Sequence, residues 1–193
     1  PADIDRAADE LAGAADRLDG DNAAVLRAAA SLMSSIADRN KSFDYLSQRL
    51  ESMGGLDPST MMSREDIQHR VALVDQFLRL NREFESELRS APRRFRESLI
   101  KEGLDHKPLA RAESDFAAGF KLPMQLQFRR LHAQFGESAK DYLGLLESQW
   151  GRWSFDAQSG QVVFQNQSVI DQFNQASDTL QTSMLAMASV QRG

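Results

Sequence analysis

One apolar stripe of more than thirty residues constrains this chain more than any other feature. In residues 22–53, apolar side chains recur at alternating steps of three and four, with one interruption at Arg39. The stripe consists of Val25, Ala29, Leu32, Ile36, Phe43, Leu46, Leu50 and Met53. This spacing, like that of a coiled coil, predicts one helix of about 48 Å at about 1.5 Å per residue. A stripe of this length has to be buried against other helices, so the sequence predicts helix-on-helix packing.

The same periodicity, together with capping residues, predicts the other helices. An Ala-rich helix over residues 2–19, with Leu18 on its apolar side, is ended by Gly20, and the long helix that follows ends at Gly54-Gly55. Ser63 and Asp66 form an N-terminal capping pattern for a third helix. The stripe of this third helix includes Ile67, Val71, Val74, Phe77, Phe84, Leu88, Phe95 and Leu99.

The remaining helices are predicted over residues 109–119, over residues 123–150 and from residue 168 onwards. The stripe of the helix over residues 123–150 is Met124, Phe128, Leu131, Phe135, Tyr142 and Leu145. In the last helix the side chains predicted to face inward are Val169, Phe173, Ala176, Leu180, Met184 and Met187.

The only β-like segment lies between the last two helices. Residues 153–155 and 162–164 are rich in aromatic and β-branched side chains and surround a turn that contains Gly160, so they predict a β-hairpin near residues 152–165. Two strands alone are marginally stable in water, so we expect the hairpin to pack on the end of the bundle. The predicted fold is all-α: an elongated antiparallel four-helix-type bundle with a short N-terminal helix and this hairpin insert. Residues 1–20 are predicted to form an acidic helix, and residues 21–193 a single bundle domain.

Composition excludes several classes of function. The chain has 193 residues and no cysteine, which excludes disulfides, thiolate catalysis and cysteine-ligated metal sites. Residues 1–22 hold seven acidic and two basic side chains, so the net charge of −5 lies entirely in this leader. A neutral body with an acidic leader is a poor partner for nucleic acid. No apolar run approaches the ~18 residues of a membrane span, so no transmembrane segment is predicted.

No catalytic or metal-binding pattern stands out. The nearest match to a di-iron bundle motif is Asp66-Ile67-Gln68-His69, which occurs once, and the other two histidines are dispersed. Ser98 and Lys101 match a Ser-x-x-Lys pattern without its companion motifs. The sequence therefore predicts no cofactor, no metal and no catalytic residue.

The strongest polar cluster is a basic helix face. Arg89, Arg93 and Arg96 fall at i, i+4 and i+7, and Pro92 among them either kinks the helix or begins a new one near Ser90. A new helix would add free amides to a site for a phosphate, a carboxylate or an acidic peptide. The favoured interpretation is a solvated face with Glu85–Arg89 and Glu97–Lys101 pairs. In a third interpretation the acidic leader docks on this face, in the same or a neighbouring chain.

Two further features have a functional and a structural interpretation. Trp150 and Trp153, the only tryptophans, form either a partner-binding platform or, as we favour, a plug for the end of the bundle. Arg39 in the apolar stripe sets register or oligomeric state, marks a ligand cavity or, as we favour, extends its charge locally into solvent.

The C-terminal quarter resembles a known class of protein. A helix with Tyr142 and Leu145, the two strand segments, and Phe173-Asn174 at the start of a helix are similar to the tail of small all-helical bacterial envelope lipoproteins of uncharacterised function. Phe173 replaces a tyrosine of their pattern. The resemblance implies a lipid anchor upstream of residue 1 and a place on the periplasmic side of the envelope, the alternative being the cytoplasm. It implies no catalytic residues.

These observations favour a non-enzymatic role. We expect a binding or scaffold domain of the bacterial envelope that contacts a protein partner, or a second copy of itself, through helix faces. The alternative is a ligand sensor that holds a small anion or acidic peptide on the Arg89–Arg96 face. An enzyme whose site is not readable from sequence comes third.

Overall fold

The structure is a computed structural model that describes residues 2–190, with the side chains of residues 5–189. Six α-helices and one two-stranded sheet lie in this part of the chain. They are α1 (Ala2–Ala15), α2 (Gly20–Ser52), α3 (Arg64–Lys101), α4 (His106–Phe120), α5 (Leu122–Ser148), β1 (Trp153–Asp156), β2 (Gln161–Phe164) and α6 (Gln167–Val190). The prediction of an all-α bundle with a β-hairpin insert is confirmed.

Glycine and capping residues fix the ends of the two longest helices. After α2, Gly54 and Gly55 adopt φ values of +86° and +64°, and the Gly55 amide donates to the carbonyl of Leu50 at 2.9 Å. Before α3, the Asp66 amide donates to Ser63 Oγ at 3.1 Å, while Asp66 Oδ2 accepts the Met62 amide at 3.0 Å. Both predicted boundaries are therefore confirmed.

α3 runs without a break through Pro92, so the prediction of a new helix near Ser90 is wrong. Pro92 is exposed, whereas the neighbouring Leu88, Ala91 and Phe95 are buried. Burial of these side chains holds the helix together although the proline nitrogen donates no hydrogen bond to the Leu88 carbonyl. α3 therefore has no N-terminus beside Arg89, Arg93 and Arg96.

The chain divides into two compact units, each with its own core. Unit 1 comprises Pro1–Asp44 and Glu83–Gln127. It contains α1, the first part of α2, the second part of α3, α4 and the start of α5. Its core is made of alanine and leucine side chains and one phenylalanine: Ala24, Ala28, Phe95, Leu99, Leu104, Leu109 and Ala112.

Unit 2 comprises Tyr45–Arg82 and Phe128–Gly193. Its core cluster contains Met61, Ile67, Val74, Leu78, Ala139, Tyr142, Leu143, Leu146, Phe164 and Leu180. The strands of the hairpin pair antiparallel, with Trp153 opposite Phe164, and Phe164 packs into this cluster. The hairpin therefore packs on helices, as predicted. The boundary at residue 20 and the single bundle domain stay predictions.

Two predicted stripes differ from the buried faces. In α5, Met124 is half exposed, whereas Leu143 and Leu146, which lie outside the predicted stripe, are fully buried. The indole nitrogen of Trp153 donates to the carbonyl of Leu146 at 3.0 Å, which places the hairpin against this end of α5. Because the hairpin and α6 both cover it, α5 buries a wider sector than a single stripe. In α6, Met184 was predicted to face inward and is half exposed instead.

Two glycines of α5 provide a matched test of this packing. A Cβ at Gly136 would lie 2.6 Å from Leu78 Cδ2, whereas a Cβ at Gly144 would meet nothing within 4 Å. Gly136→Ala should lower the free energy of unfolding by about 1 kcal/mol, because overpacking at about 1–3 kcal/mol exceeds the gain in helix propensity. Gly144→Ala should raise it by up to about 1 kcal/mol. Urea denaturation measures both, and equal stabilisation by the two variants would contradict the packing described.

Candidate functional site

The three arginines of the predicted anion face each lie beside an acidic side chain. Arg89 Nε donates to Glu85 Oε1 at 3.0 Å, and Arg93 Nη1 lies 3.7 Å from Glu97 Oε1. Both pairs are i,i+4 pairs on α3. These two guanidinium groups are mostly exposed, so the pairs stabilise the helix by only a few tenths of a kcal/mol each.

The third arginine reaches a neighbouring helix. Arg96 Nη1 lies 3.3 Å from Glu113 Oε1 of α4, within unit 1. The expected Glu97–Lys101 pair is replaced by Arg93–Glu97, because Arg93 reaches the same carboxylate from the preceding turn. The face therefore presents arginines whose charge is already matched by glutamates, and its role in binding an anion stays a prediction.

In the described part of the chain, the acidic leader pairs with a different cation. Asp5 Oδ1 of α1 lies 2.8 Å from Lys41 Nζ of α2. The pair raises the pKa of Lys41, chiefly through the hydrogen bond to Asp5. α1 is thus aligned with the first part of α2. Leu18, predicted to share the apolar side of the N-terminal helix, lies after the end of α1 and is exposed.

Arg39, the interruption in the stripe of α2, bonds two carboxylates of α3 inside unit 1. Its Nε donates to Glu87 Oε1 at 3.0 Å and its Nη1 to Glu83 Oε2 at 3.1 Å. The pKa of Arg39 is raised, chiefly by the hydrogen bond to Glu87. The side chain is about one-third exposed, so the favoured local interpretation agrees with its position, and the pairing also fixes how α2 and α3 align there.

The two tryptophans contact each other at the hairpin. Their rings are edge to face, with centroids 5.5 Å apart. Trp153 is half-buried and packs against the core of unit 2, whereas Trp150 lies at the edge and is 36 % exposed. Trp153 thus contributes to closing this end of the core, and the use of the pair as a partner-binding platform stays a prediction.

The sequence interpretation missed a buried polar cluster between α3 and α5 in unit 2. Asn81 is 1 % exposed, and its Nδ2 donates to the carbonyl of Arg129 at 2.8 Å. Arg129 is 4 % exposed, and its guanidinium lies 4.9 Å from the centroid of the Phe128 ring. Burial lowers the pKa of Arg129 to about 10. A signal was present, because the stripe of α3 omits one step between Phe77 and Phe84, where Asn81 lies.

His132 is the third member of this cluster. Its Nδ1 lies 2.9 Å from the carbonyl of Phe128, and its ring contacts the rings of Phe77 and Phe128. Burial, and then the positive charge of Arg129, lower the pKa of His132 to about 4. His132 is therefore neutral near pH 7. The other two histidines, His69 and His106, are exposed.

The described residues contain no group of three or more His, Cys, Asp or Glu side chains that could hold a metal ion. Among the described helices, none has both the length and the hydropathy that crossing a membrane requires. Comparisons with models of protein families, with curated proteins and with solved structures give no match.

The buried histidine makes stability depend on pH. The pKa of His132 falls from 6.5 in the unfolded chain to about 4 in the folded one. Its contribution to the free energy of unfolding is therefore complete above pH 6.5 and is lost as pH falls towards 4. We expect the free energy of unfolding to drop by about 2 kcal/mol from this group between about pH 7 and about pH 5. His132→Phe should remove this part of the slope in urea denaturation, and the exposed-site control His69→Phe should retain it. A slope unchanged by His132→Phe would show that His132 is not held neutral.

Proposed function

We propose that the chain is a non-enzymatic scaffold domain of the bacterial envelope that associates with a second copy of itself through the outward face of α6. The observation that carries this proposal is an exposed helix face that combines large apolar side chains with an absence of charge. Met184 is 50 % exposed and Leu185 is 63 % exposed on this face. Two exposed apolar side chains at adjacent positions are typical of a surface that a partner covers.

The inward face of α6 is held by specific contacts. The Phe173 ring lies 5.3 Å from the Tyr142 ring and 5.1 Å from the Phe164 ring, between centroids. Further along the helix Leu180 is buried, and Ser183 Oγ lies 3.0 Å from Ser138 Oγ of α5. These contacts fix the rotation of the helix within unit 2, so Met184 and Leu185 face outward because the other side is occupied.

Charge is depleted along this part of the chain. Residues 157–191 contain only two charged side chains, Asp171 and Asp178, although 26 % of the whole chain is charged. Surfaces that stay in water are normally rich in charge, whereas the cores of protein interfaces are depleted of it and enriched in methionine. The exposed side chains of α6 between Thr179 and Ser189 are therefore suited to contact with another protein.

A second copy is compatible with this face. An antiparallel pair of α6 helices centred near Leu185 brings the Met184 and Leu185 side chains of both copies together. In that arrangement the two Asp178 side chains lie about 21 Å apart along the pair, at 1.5 Å per residue. This separation exceeds the Debye length of about 10 Å at 0.1 M salt, so the acidic side chains do not oppose association.

The remaining parts of the proposal have separate support. The envelope location is supported by the similarity of the C-terminal quarter to envelope lipoproteins, and fractionation of cells that express the full-length gene tests it. The non-enzymatic role is supported by the isolation of the exposed histidines and by the neutral, buried His132. The glutamates beside Arg89, Arg93 and Arg96 weigh against the alternative of an anion sensor on that face.

Replacing Leu185 with a charged residue tests the association. We expect the wild-type chain to show concentration-dependent dimerisation by sedimentation, and Leu185→Glu to weaken it at least about tenfold, or about 1.4 kcal/mol, because a charge would be buried at the centre of the pair.

Ile100→Glu is the matched control, since Ile100 of α3 is also about half exposed and lies outside α6. This variant should dimerise like the wild type. A wild-type chain that stays monomeric up to about 1 mM, or an equal loss in both variants, would contradict self-association through α6.

A further inference from the structure

Unit 1 contains a groove with a volume of about 760 Å³ between the first turns of α2, the last turns of α3, and α4. Its volume is within the range of about 300–1,000 Å³ that is typical of small-molecule sites. The groove shares no residue with the outward face of α6. It is therefore a separate candidate for ligand binding.

The floor of the groove is aromatic and fixed in position. The ring of Phe95 stacks on that of Phe116, with centroids 4.3 Å apart and planes 16° from parallel. Phe116 stacks in turn on Phe120 at 4.8 Å. Phe95 is buried in the core of unit 1, and Val25 and Ala29 of α2 complete the apolar lining. Phe120 and Phe95 both stack on Phe116, so a flat apolar group placed here packs against the edges of these rings and against Val25 and Ala29.

The rim carries four charged side chains, two of which neutralise each other. Arg111 Nε lies 3.8 Å from Asp115 Oδ2, one turn further along α4. The other two are Lys107 on α4 and Asp21 on α2, and neither forms an ion pair within the part of the chain that the structure describes. The charges that remain available are thus one cation and one anion, on different helices.

The start of α4 adds hydrogen-bond donors near Lys107. Asp105, the residue before this helix, makes no side-chain capping bond to its first amides. Pro108 and Lys107 of this first turn both line the groove. Uncapped amides and a lysine together favour a carboxylate at this end of the groove.

We propose that this groove binds a zwitterion with an apolar side chain, that is, an aromatic amino acid or a short peptide with an aromatic residue. Its carboxylate lies at Lys107 Nζ, its ammonium group at the carboxylate of Asp21, and its aromatic ring against the apolar lining formed by Val25, Ala29 and the ring edge of Phe116. A ligand with one charge alone would leave either Lys107 or Asp21 without a matching charge, so it should bind more weakly.

Four probes test the class of ligand by isothermal titration calorimetry of the full chain. Three probes share the same phenylethyl group and differ in charge. L-Phenylalanine carries both charges, 3-phenylpropionate carries only the negative charge, and 2-phenylethylamine carries only the positive charge. The dipeptide Phe-Phe separates the two charges and tests whether an amino acid or a peptide fits. We expect at least one of the two zwitterions to bind about tenfold or more tightly than both singly charged probes, a difference of about 1.4 kcal/mol.

Variants of the rim assign the two charges. Lys107→Gln and Asp21→Asn should each weaken zwitterion binding about tenfold, and Lys107→Gln should leave the zwitterion no tighter than 2-phenylethylamine. Lys101→Gln and Asp19→Asn make the same changes of charge outside the groove lining and should bind like the wild type. All four side chains are exposed, so these variants should fold.

Several outcomes would overturn the proposal. The first is no heat of binding from either zwitterion at about 10 mM, a concentration that corresponds to a free energy of binding of only about −3 kcal/mol. The others are equal binding of all four probes, tightest binding of 3-phenylpropionate, or a loss of binding in the control variants that equals the loss in the rim variants. Amide chemical-shift changes confined to residues outside the groove would overturn it as well.

Discussion

Burial of one face of α3 is the interaction on which the rest of the structure depends. This helix contributes Ile67, Val74 and Leu78 to the core of unit 2, and Phe95 and Leu99 to the core of unit 1. Burying each such side chain contributes about 1.5–3 kcal/mol, so α3 alone accounts for a large part of the hydrophobic stabilisation of both cores. Within unit 1, α2 and α4 pack on Phe95 and Leu99, and within unit 2, α5 packs on Val74 and Leu78. The groove in unit 1 lies where α2, α3 and α4 meet near Phe95.

Polar side chains within the buried faces determine how the helices align. Arg70 of α3 is 1 % exposed and donates to the carbonyls of Gly55 and Asp66 at 2.9 and 3.1 Å. It also donates to Thr60 Oγ1 at 2.9 Å and to the carbonyl of Met53. These bonds hold the loop between α2 and α3 against α3. A shift of one turn would leave a buried guanidinium without its acceptors on Met53, Gly55 and Thr60, which costs several kcal/mol.

Asn81 has the same effect between α3 and α5. Its bond to the Arg129 carbonyl is made at one register only, and a buried amide without a partner costs about 1–3 kcal/mol. Apolar contacts such as those of Leu78 tolerate small sliding, whereas these hydrogen bonds do not. The apolar faces thus supply most of the stability, and the buried polar side chains select one alignment.

The helices and the hairpin could be predicted from the sequence because their signals are local. Helix ends are set by residues that act on backbone groups a few positions away, as Gly54, Gly55 and the Ser63–Asp66 pair do. The positions of these helix ends are therefore readable from spacing alone. The continuity of α3 through Pro92 was not readable in this way, because it depends on burial of Leu88 and Phe95 against other helices. Likewise the wide buried sector of α5 depends on the hairpin and α6, which follow it in the chain.

The candidate sites, too, could be predicted only where their signals are local. The spacing of Arg89, Arg93 and Arg96 is visible in the sequence, but Glu113, which lies beside Arg96, comes from the next helix and is not. The groove joins Asp21, Phe95 and Lys107, which are distant in the chain, so no spacing could have indicated it. The exposed face of α6 is an intermediate case. Its lack of charge is readable from Thr179 to Gln191, but only the packing of Leu180 and Ser183 shows that Leu185 faces outward.

The groove and the outward face of α6 are suited to recognition by different physical interactions. The groove combines an aromatic floor with two opposite charges, so its selectivity comes from matching charge positions, and salt weakens that selectivity as the Debye length shortens. The face of α6 between Thr179 and Ser189 offers apolar and neutral polar side chains, so its affinity comes from removing apolar area from water, which salt does not screen. Because one surface belongs to unit 1 and the other to unit 2, a substitution in one leaves the side chains of the other unchanged. The chain therefore offers two kinds of binding surface, each built on a separate core.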